Sequence, residues 1–285
     1  AFDPQIVIVS SDVPPRFFRQ IAAGKRVLIY AMHNTLWPMG DRPTTPKKLL
    51  GRLRGAKDLR ALDGAVCISA ECARQLRQSG MAAGRVRVAI PQILDRHPVQ
   101  ERQAARKLLY LGRIEASKGV GLLIDAFARL HPDFPEATLR IAGQGSALEA
   151  MTDRAEGVPG IAFLGQLDSP GVHDELSRAD LLICPTMTSF SEGLAVVGLE
   201  AAAHGIPSIQ SSVVPSNEAL GPAARVFRAN DGADLEARMR EVMSDPALYD
   251  RMRTATGDIR PLLYDRTRGW GATVAQAILA LPPRG

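Results

Sequence analysis

Nine short apolar runs recur along the chain: "IVIVS" (6–10), "RVLIYA" (26–31), "AVCIS" (65–69), "VRVAI" (86–90), "LLYLG" (108–112), "TLRIAG" (138–143), "IAFLG" (161–165), "LLICP" (181–185) and "PSIQ" (207–210). They are continuous rather than alternating, which is how strands covered on both faces read. Amphipathic helical stretches such as 118–130 and 171–178 lie between most of them. Strand–helix alternation of this kind predicts an α/β fold of parallel sheets with helices on both faces. The segment "PQILDRHPVQERQAARK" (91–107) carries two prolines and many charges. It divides the pattern into a first unit over 1–95, a linker over 96–106 and a second unit over 107–260. No internal repeat and no low-complexity tract interrupts it.

Composition narrows the class. The 285 residues are 46% hydrophobic and 23% charged, an ordinary globular balance. No apolar run reaches the 18 residues of a membrane span, and "AFDPQIVIVSSDVPP" lacks the basic start of a signal peptide. The three cysteines, Cys67, Cys72 and Cys184, are odd in number, and two of them sit in strand-like runs. That argues against a disulfide framework and for a reducing, cytoplasmic compartment. The five histidines (33, 97, 131, 173, 204) are scattered and never stand beside a cysteine at ligand spacing, so no zinc site is expected. The net charge of +5 suits an anionic ligand or an anionic membrane surface. "TPKKLLGRLRGAKDLRAL" (45–62) reads as a basic helix. It is either an interfacial patch at the inner face of a membrane or a domain helix with a solvated basic face.

Candidate chemistry concentrates in the second unit. In "YLGRIEASKGVGLLIDAFARL" a strand ends at Leu111, and Arg113 and Lys118 precede a helix start. Strand ends and helix N-termini share the ligand-binding rim of a parallel sheet. Two cations and helix amides there suit a diphosphate; the alternative is two solvated loop residues. In "FSEGLAVVGLEAAAHG" (190–205), Glu192 precedes a predicted helix and Glu200 lies within it, with seven residues between them. Read as continuous helix, that separation is about 12 Å. The amides of Gly193, Leu194 and Ala195 fall between the two carboxylates. The order carboxylate, amides, carboxylate matches a nucleoside diphosphate sugar: sugar hydroxyls, diphosphate, ribose hydroxyls. The alternative makes Glu192 a helix-dipole partner and Glu200 a solvated helix residue. "GQG" (143–145) lacks the third glycine of a dinucleotide fingerprint, because position 148 is leucine, and reads instead as a tight strand-to-helix turn.

"LGRIEASKG", "RIAGQGSALEAM", "FLGQL" and "ADLLICPTMTSFSEGLAVVGLEAAAHGIPSI" follow one another in an order that resembles glycosyltransferase family 4, retaining enzymes of GT-B fold. The resemblance implies two Rossmann-like domains facing a cleft. The first is acceptor-side and looks incomplete at its front, the second binds the nucleotide sugar, and a C-terminal helix over 261–285 packs back on the first. It implies Arg113 and Lys118 on the donor diphosphate, Glu200 on the ribose, and Glu192 with the amides of Gly193 and Leu194 on the transferred sugar. "RVLIYAMHNTL" resembles the family's strand ending in a histidine, which places His33 near the sugar as well. The partners implied are a nucleoside diphosphate sugar donor and a glycan, lipid-linked or small-molecule acceptor, with no cofactor, no metal and no nucleic acid. Two departures stand out. The family's aromatic–glycine pair after the first Glu-Gly is here Leu194–Ala195, and the usual glycine pair after "IQSS" is missing. A non-catalytic sugar-nucleotide-binding fragment and a GT-B nucleotide-sugar epimerase or hydrolase remain as alternatives.

Overall fold

The computed structural model describes residues 4–23, 26–40 and 57–281. The chain forms two compact units. The first comprises residues 1–92, 191–194 and 265–285; the second comprises 93–190 and 195–264.

Among the described residues, the first unit carries four parallel strands in the order β1-β2-β3-β4: β1 (Ile6–Ser10), β2 (Val27–Met32), β3 (Gly64–Cys67) and β4 (Val86–Val88). β2 and β3 are the central strands and are almost fully buried. Alternate residues of a strand face opposite sides, and both sides are covered here. Leu28, Tyr30, Met32, Ala65 and Cys67 pack with Phe18, Cys72, Ala73 and Leu76. Ile29 and Val66 pack instead with Ala277, Val274 and Ile278 of the helix Trp270–Leu279. That double cover is why the runs show no polar alternation.

The second unit holds six parallel strands in the order β10-β9-β8-β5-β6-β7: β5 (Lys107–Leu111), β6 (Thr138–Ala142), β7 (Ile161–Gly165), β8 (Leu181–Cys184), β9 (Ser208–Ser211) and β10 (Ala224–Phe227). The same logic applies within single strands. Leu108 and Tyr110 join the core formed with the helices Val120–Leu130 and Gly232–Ser244, while Leu109 between them joins Leu176, Ala201 and Val214 on the other face. The one charged residue inside β6, Arg140, makes a bidentate pair with the buried Glu175 at 2.6 and 2.7 Å. Charge-assisted pairing of this geometry satisfies a carboxylate that burial alone would penalise, and Arg140 holds the Glu175 carboxyl below the usual range.

Two features depart from the pattern reading, and a third expectation falls largely outside the described residues. β10 carries Arg225 and an exposed Val226, so its run "ARVF" is broken by polar and solvent-facing positions; it is an edge strand with one partner, β9. The segment 96–106 is bonded into the second unit: Arg102 donates to the carbonyls of Ala179 and Ser177 at 2.7 and 2.8 Å. The basic stretch 45–62 lies mostly outside the described residues, of which it includes only 57–62. Among the described residues no helix is long and apolar enough to cross a membrane.

Candidate functional site

In the second unit the strand ends of β5, β6 and β8 lead into three loops that lock together. The first runs from Gly112 to Gly119. Its backbone is held by Gly112 N–H to Ala142 O and Ile114 N–H to Gln144 O, at 3.1 and 2.8 Å, and by the Tyr110 hydroxyl donating to Arg113 O at 2.6 Å. The second is the glycine turn 143–145. A Cβ at Gly143 would lie 1.8 Å from Gly112 O, and one at Gly145 would lie 2.3 Å from Ile114 O. The glycines therefore serve close backbone packing between two loops, which is the turn role expected of "GQG".

The third loop follows β8 and carries Phe190. Met187 N–H donates to Ser117 O at 2.9 Å, and Thr188 exchanges two hydrogen bonds with the Asn230 side chain, at 3.0 and 2.6 Å. These anchors bring Phe190 to the two cations singled out in the sequence. The Lys118 ammonium sits 3.9 Å from the ring centroid and the Arg113 guanidinium 5.2 Å from it. Both distances fall within cation–π range. Arg113 is exposed and also bonds Glu115 at 2.9 Å, an exposed ion pair of small energetic value. Lys118 ends a 3-10 turn, and Gly119, at φ +73, starts the helix Val120–Leu130. Phe190 carries no periodic signal in the sequence. Its proximity to the two glutamates in the chain was the available clue.

Glu200 lies inside the helix Val196–Ala203 and is half-buried. Burial raises its carboxyl above the usual range, and the nearby His173 works against that shift. The helix itself begins later than the sequence suggests. Ala195 occupies the left-handed region at φ 61, and helical geometry starts only at Val196. Glu192, Gly193 and Leu194 precede the helix, so the 12 Å rise computed for a continuous helix does not apply to Glu192 and Glu200. Glycine adopts the conformation of Ala195 freely, whereas an L-residue loses about 1–2 kcal/mol in it. Ala195→Gly should therefore stabilise the protein, by about 0.5–1 kcal/mol after the entropy glycine adds to the unfolded chain. Differential scanning calorimetry reads this as a melting temperature about 2 °C higher. A lower one would mean that the Ala195 methyl, which packs on the Leu109 and Leu182 cluster, outweighs the strain.

The remaining candidates belong to the first unit. His33 directly follows β2. Its N–H donates to Ser11 Oγ at 2.7 Å, and its ring stacks on Trp270 with centroids 4.6 Å apart. Ser191–Leu194 belongs to this unit although the residues on either side of it do not. Gly193 is pressed against His33: a Cβ there would lie 1.8 Å from His33 O. Its own carbonyl accepts from the Cys72 thiol at 3.8 Å. Glu192 and Leu194 are buried. The structure thus brings His33 and Gly193 together in one unit and Arg113 and Lys118 together in the other. Nothing in the sequence marks Trp270 as the partner of the His33 ring.

A cavity of about 350 Å³ opens elsewhere in the second unit, where β5 and β6 begin, lined by Arg106, Lys107, Thr138, Arg140 and Glu175 among others. Arg140 and Glu175, and Arg106 and Glu136, are engaged with each other, and the cavity lies at the opposite strand ends from the loops above.

The family model for glycosyl transferases group 1 matches residues 92–257, more than half of the chain. The glycogen synthase of Mycobacterium tuberculosis is 36% identical over 159 residues, covering 54% of this chain and 38% of that protein. The D-inositol 3-phosphate glycosyltransferase of Geodermatophilus obscurus is 30% identical over 237 residues, covering 74% of this chain and 51% of that protein. The chain thus spans between about a third and a half of the length of these curated relatives. Among solved structures, HepE of Anabaena in complex with UDP superposes with a TM-score of 0.75 at 17% identity, over 96% of this chain and 79% of that one. The UDP-forming trehalose-phosphate synthase of Burkholderia xenovorans superposes with a TM-score of 0.75 at 15% identity, over 98% and 74%. Two parallel-sheet units of this kind are the GT-B architecture of those neighbours.

Proposed function

The chain belongs to the glycosyl transferases group 1, and from that premise we propose that it transfers a sugar from a nucleoside diphosphate sugar to an acceptor with retention of anomeric configuration. The observation that carries the reading is the convergence of Lys118 and Arg113 on Phe190 at the strand-end rim of a parallel sheet. Ligands bind at that rim in open α/β sheets. Breaking the bond between an anomeric carbon and a diphosphate leaves negative charge on the phosphate oxygens. Two cations held in place before the reaction stabilise that charge without reorganising. Their charge meets the demand of the leaving group, so the scheme invokes no metal or other cofactor.

The other roles follow the family resemblance residue by residue. Glu200 accepts hydrogen bonds from the ribose hydroxyls. The amides of Gly193, Leu194 and Ala195 serve the donor between its diphosphate and its sugar, and Glu192 and His33 take the transferred sugar. Uridine diphosphate is the first nucleotide to try, because HepE was solved with UDP and the Burkholderia xenovorans enzyme is described as UDP-forming. The acceptor is a glycan, lipid-linked or small-molecule alcohol. Two relatives, from Mycobacterium leprae and Mycolicibacterium smegmatis, are named phosphatidyl-myo-inositol mannosyltransferases, which keeps a lipid-linked acceptor at a membrane face within the proposal.

Calorimetry with UDP tests the phosphate site. Charge-assisted hydrogen bonds contribute roughly 1.5–3 kcal/mol, so Arg113→Ala and Lys118→Ala should each weaken UDP binding about tenfold or more. Unchanged affinity in both variants would move the site elsewhere. Binding without transfer or donor cleavage would favour the non-catalytic alternative, and release of free sugar with no acceptor dependence would favour the hydrolase.

A further inference from the structure

Linear spacing gave no hint of a metal site, yet three of the five histidines meet in the second unit. His97 comes from the segment before β5, His173 from the helix Ser169–Arg178, and His204 caps the end of the helix Val196–Ala203. One ring nitrogen of each lies within 4.8 Å of the other two. His173 Nδ1 and His204 Nε2 are 3.2 Å apart. The His97 ring stacks over both, at centroid distances of 4.3 and 4.0 Å. His204 is 1% exposed, and the other two are half-buried.

We propose that His97, His173 and His204 form a binding site for a borderline divalent transition-metal cation, with Zn²⁺ as the type ion. Packing alone accounts poorly for the cluster. His97 Nε2 is buried with no hydrogen-bond partner, and a buried polar atom left so costs free energy. His204 Nδ1 lies 3.5 Å from Ser177 Oγ, and since that hydroxyl donates to His173 O at 2.8 Å, Ser177 can only accept from it, over a long contact. Two ligands on a tetrahedral zinc, each at about 2.0–2.1 Å, stand roughly 3.3 Å apart; His173 and His204 already hold that spacing.

The chemistry selects the ion. Three imidazoles suit Zn²⁺, Co²⁺, Ni²⁺ or Cu²⁺, whereas Mg²⁺ and Ca²⁺ want oxygen donors. The charges nearby do not select the ion. Arg102 and Arg260 both disfavour positive charge at His204. Arg102 is partly offset by Asp180 at 3.7 Å, and Arg260 is engaged with the His97 carbonyl at 3.0 Å. What repulsion remains acts on every divalent cation alike, so the imidazole donors and not the local charge choose the ion. Coordination asks one movement: His97 must rotate out of the stack to aim a nitrogen between the other two. Ser177 then serves as the outer partner that orients His204. A bound ion ties the segment before β5 to the end of the helix that carries Glu200.

The test uses the full chain after dialysis against a chelator. Zn²⁺ calorimetry should give one ion per chain. Co²⁺ should give the visible absorption of a nitrogen-rich, four- or five-coordinate site, and Mg²⁺ should give no heat. The melting temperature should rise with Zn²⁺ by mass action. His97→Ala and His173→Ala, at the half-buried positions, should each weaken Zn²⁺ binding at least tenfold with the fold retained by circular dichroism. His204→Ala removes a fully buried ring, so it is read only beside those two. No Zn²⁺ binding, or binding that persists unchanged in both His97→Ala and His173→Ala, overturns the proposal.

Discussion

Gly119→Ala should lower the melting temperature of the second unit by about 10 °C and remove UDP binding with it. Two effects combine at this position. Gly119 sits at φ +73, where a side chain loses about 1–2 kcal/mol. A Cβ would also lie 1.9 Å from Pro185 O and 2.9 Å from Pro185 C. Both contacts are backbone, so the loop after β8 must move as a whole, and overpacking of that kind costs about 1–3 kcal/mol. The loop that moves is the one that carries Phe190, and the residue before Gly119 is Lys118. Local relief of the clash therefore separates Lys118 from Phe190, the groups proposed to hold the diphosphate, and UDP affinity should fall more than tenfold even well below the melting temperature. Gly157→Ala is the matched control. It has the same backbone angle, φ +74, but nothing lies within 4 Å of its Cβ. It should show the conformational strain alone, a shift of about 2–4 °C, with UDP binding intact. Scanning calorimetry and UDP titration of both variants decide the matter. Equal melting temperatures for the two would mean that the Pro185 loop yields freely and does not position Phe190.

Most strands were legible because burial on both faces leaves a mark that single sequences carry well: unbroken runs such as "LLYL" and "LLIC"; the edge strand β1 left the same mark although Ile6 and Ile8 are exposed. β10 left no such mark, since an edge strand with an exposed Val226 and a paired Arg225 has only part of its surface covered. Arg113 and Lys118 were legible from connectivity alone, because a strand end followed by a helix start fixes which rim a residue occupies. Phe190 was not, because its meeting with Lys118 depends on the contacts of its loop with Ser117 and Asn230, and these are non-local. The helix start at 193–196 was misplaced for a local reason. Helix propensity rises along "LAVVGLEAAA", but Gly193 is held against the His33 carbonyl and Ala195 is forced to positive φ, and neither constraint is written in the residues themselves. The histidine cluster was invisible for the strongest form of the same reason. Its three members come from three elements, and nothing in their spacing along the chain records that the fold brings their rings within stacking distance.

Glu192 and Glu200 should separate by ligand when each is changed to glutamine. The proposed roles place Glu200 on the ribose and Glu192 on the sugar. A nucleoside diphosphate contains ribose but no transferred sugar, so only the full donor can report on Glu192. Glu200→Gln should weaken UDP and the UDP-sugar alike, by about tenfold or more, since hydrogen bonds to a charged group contribute roughly 1.5–3 kcal/mol. Its burial sharpens the expectation, because a half-buried carboxylate raised above its usual range gains from hydroxyl donors what it lacks from water. Glu192→Gln should leave UDP affinity within about twofold while turnover of the UDP-sugar falls about a hundredfold or more. The latter is the scale on which removing one preorganised polar contact to a reacting group is felt. Glu192 is 8% exposed, so circular dichroism and the melting temperature of each variant must first show an intact fold. Equal losses of bare UDP affinity in both variants would mean that the two carboxylates jointly support the chain around Ala195, and the division between ribose and sugar would fall.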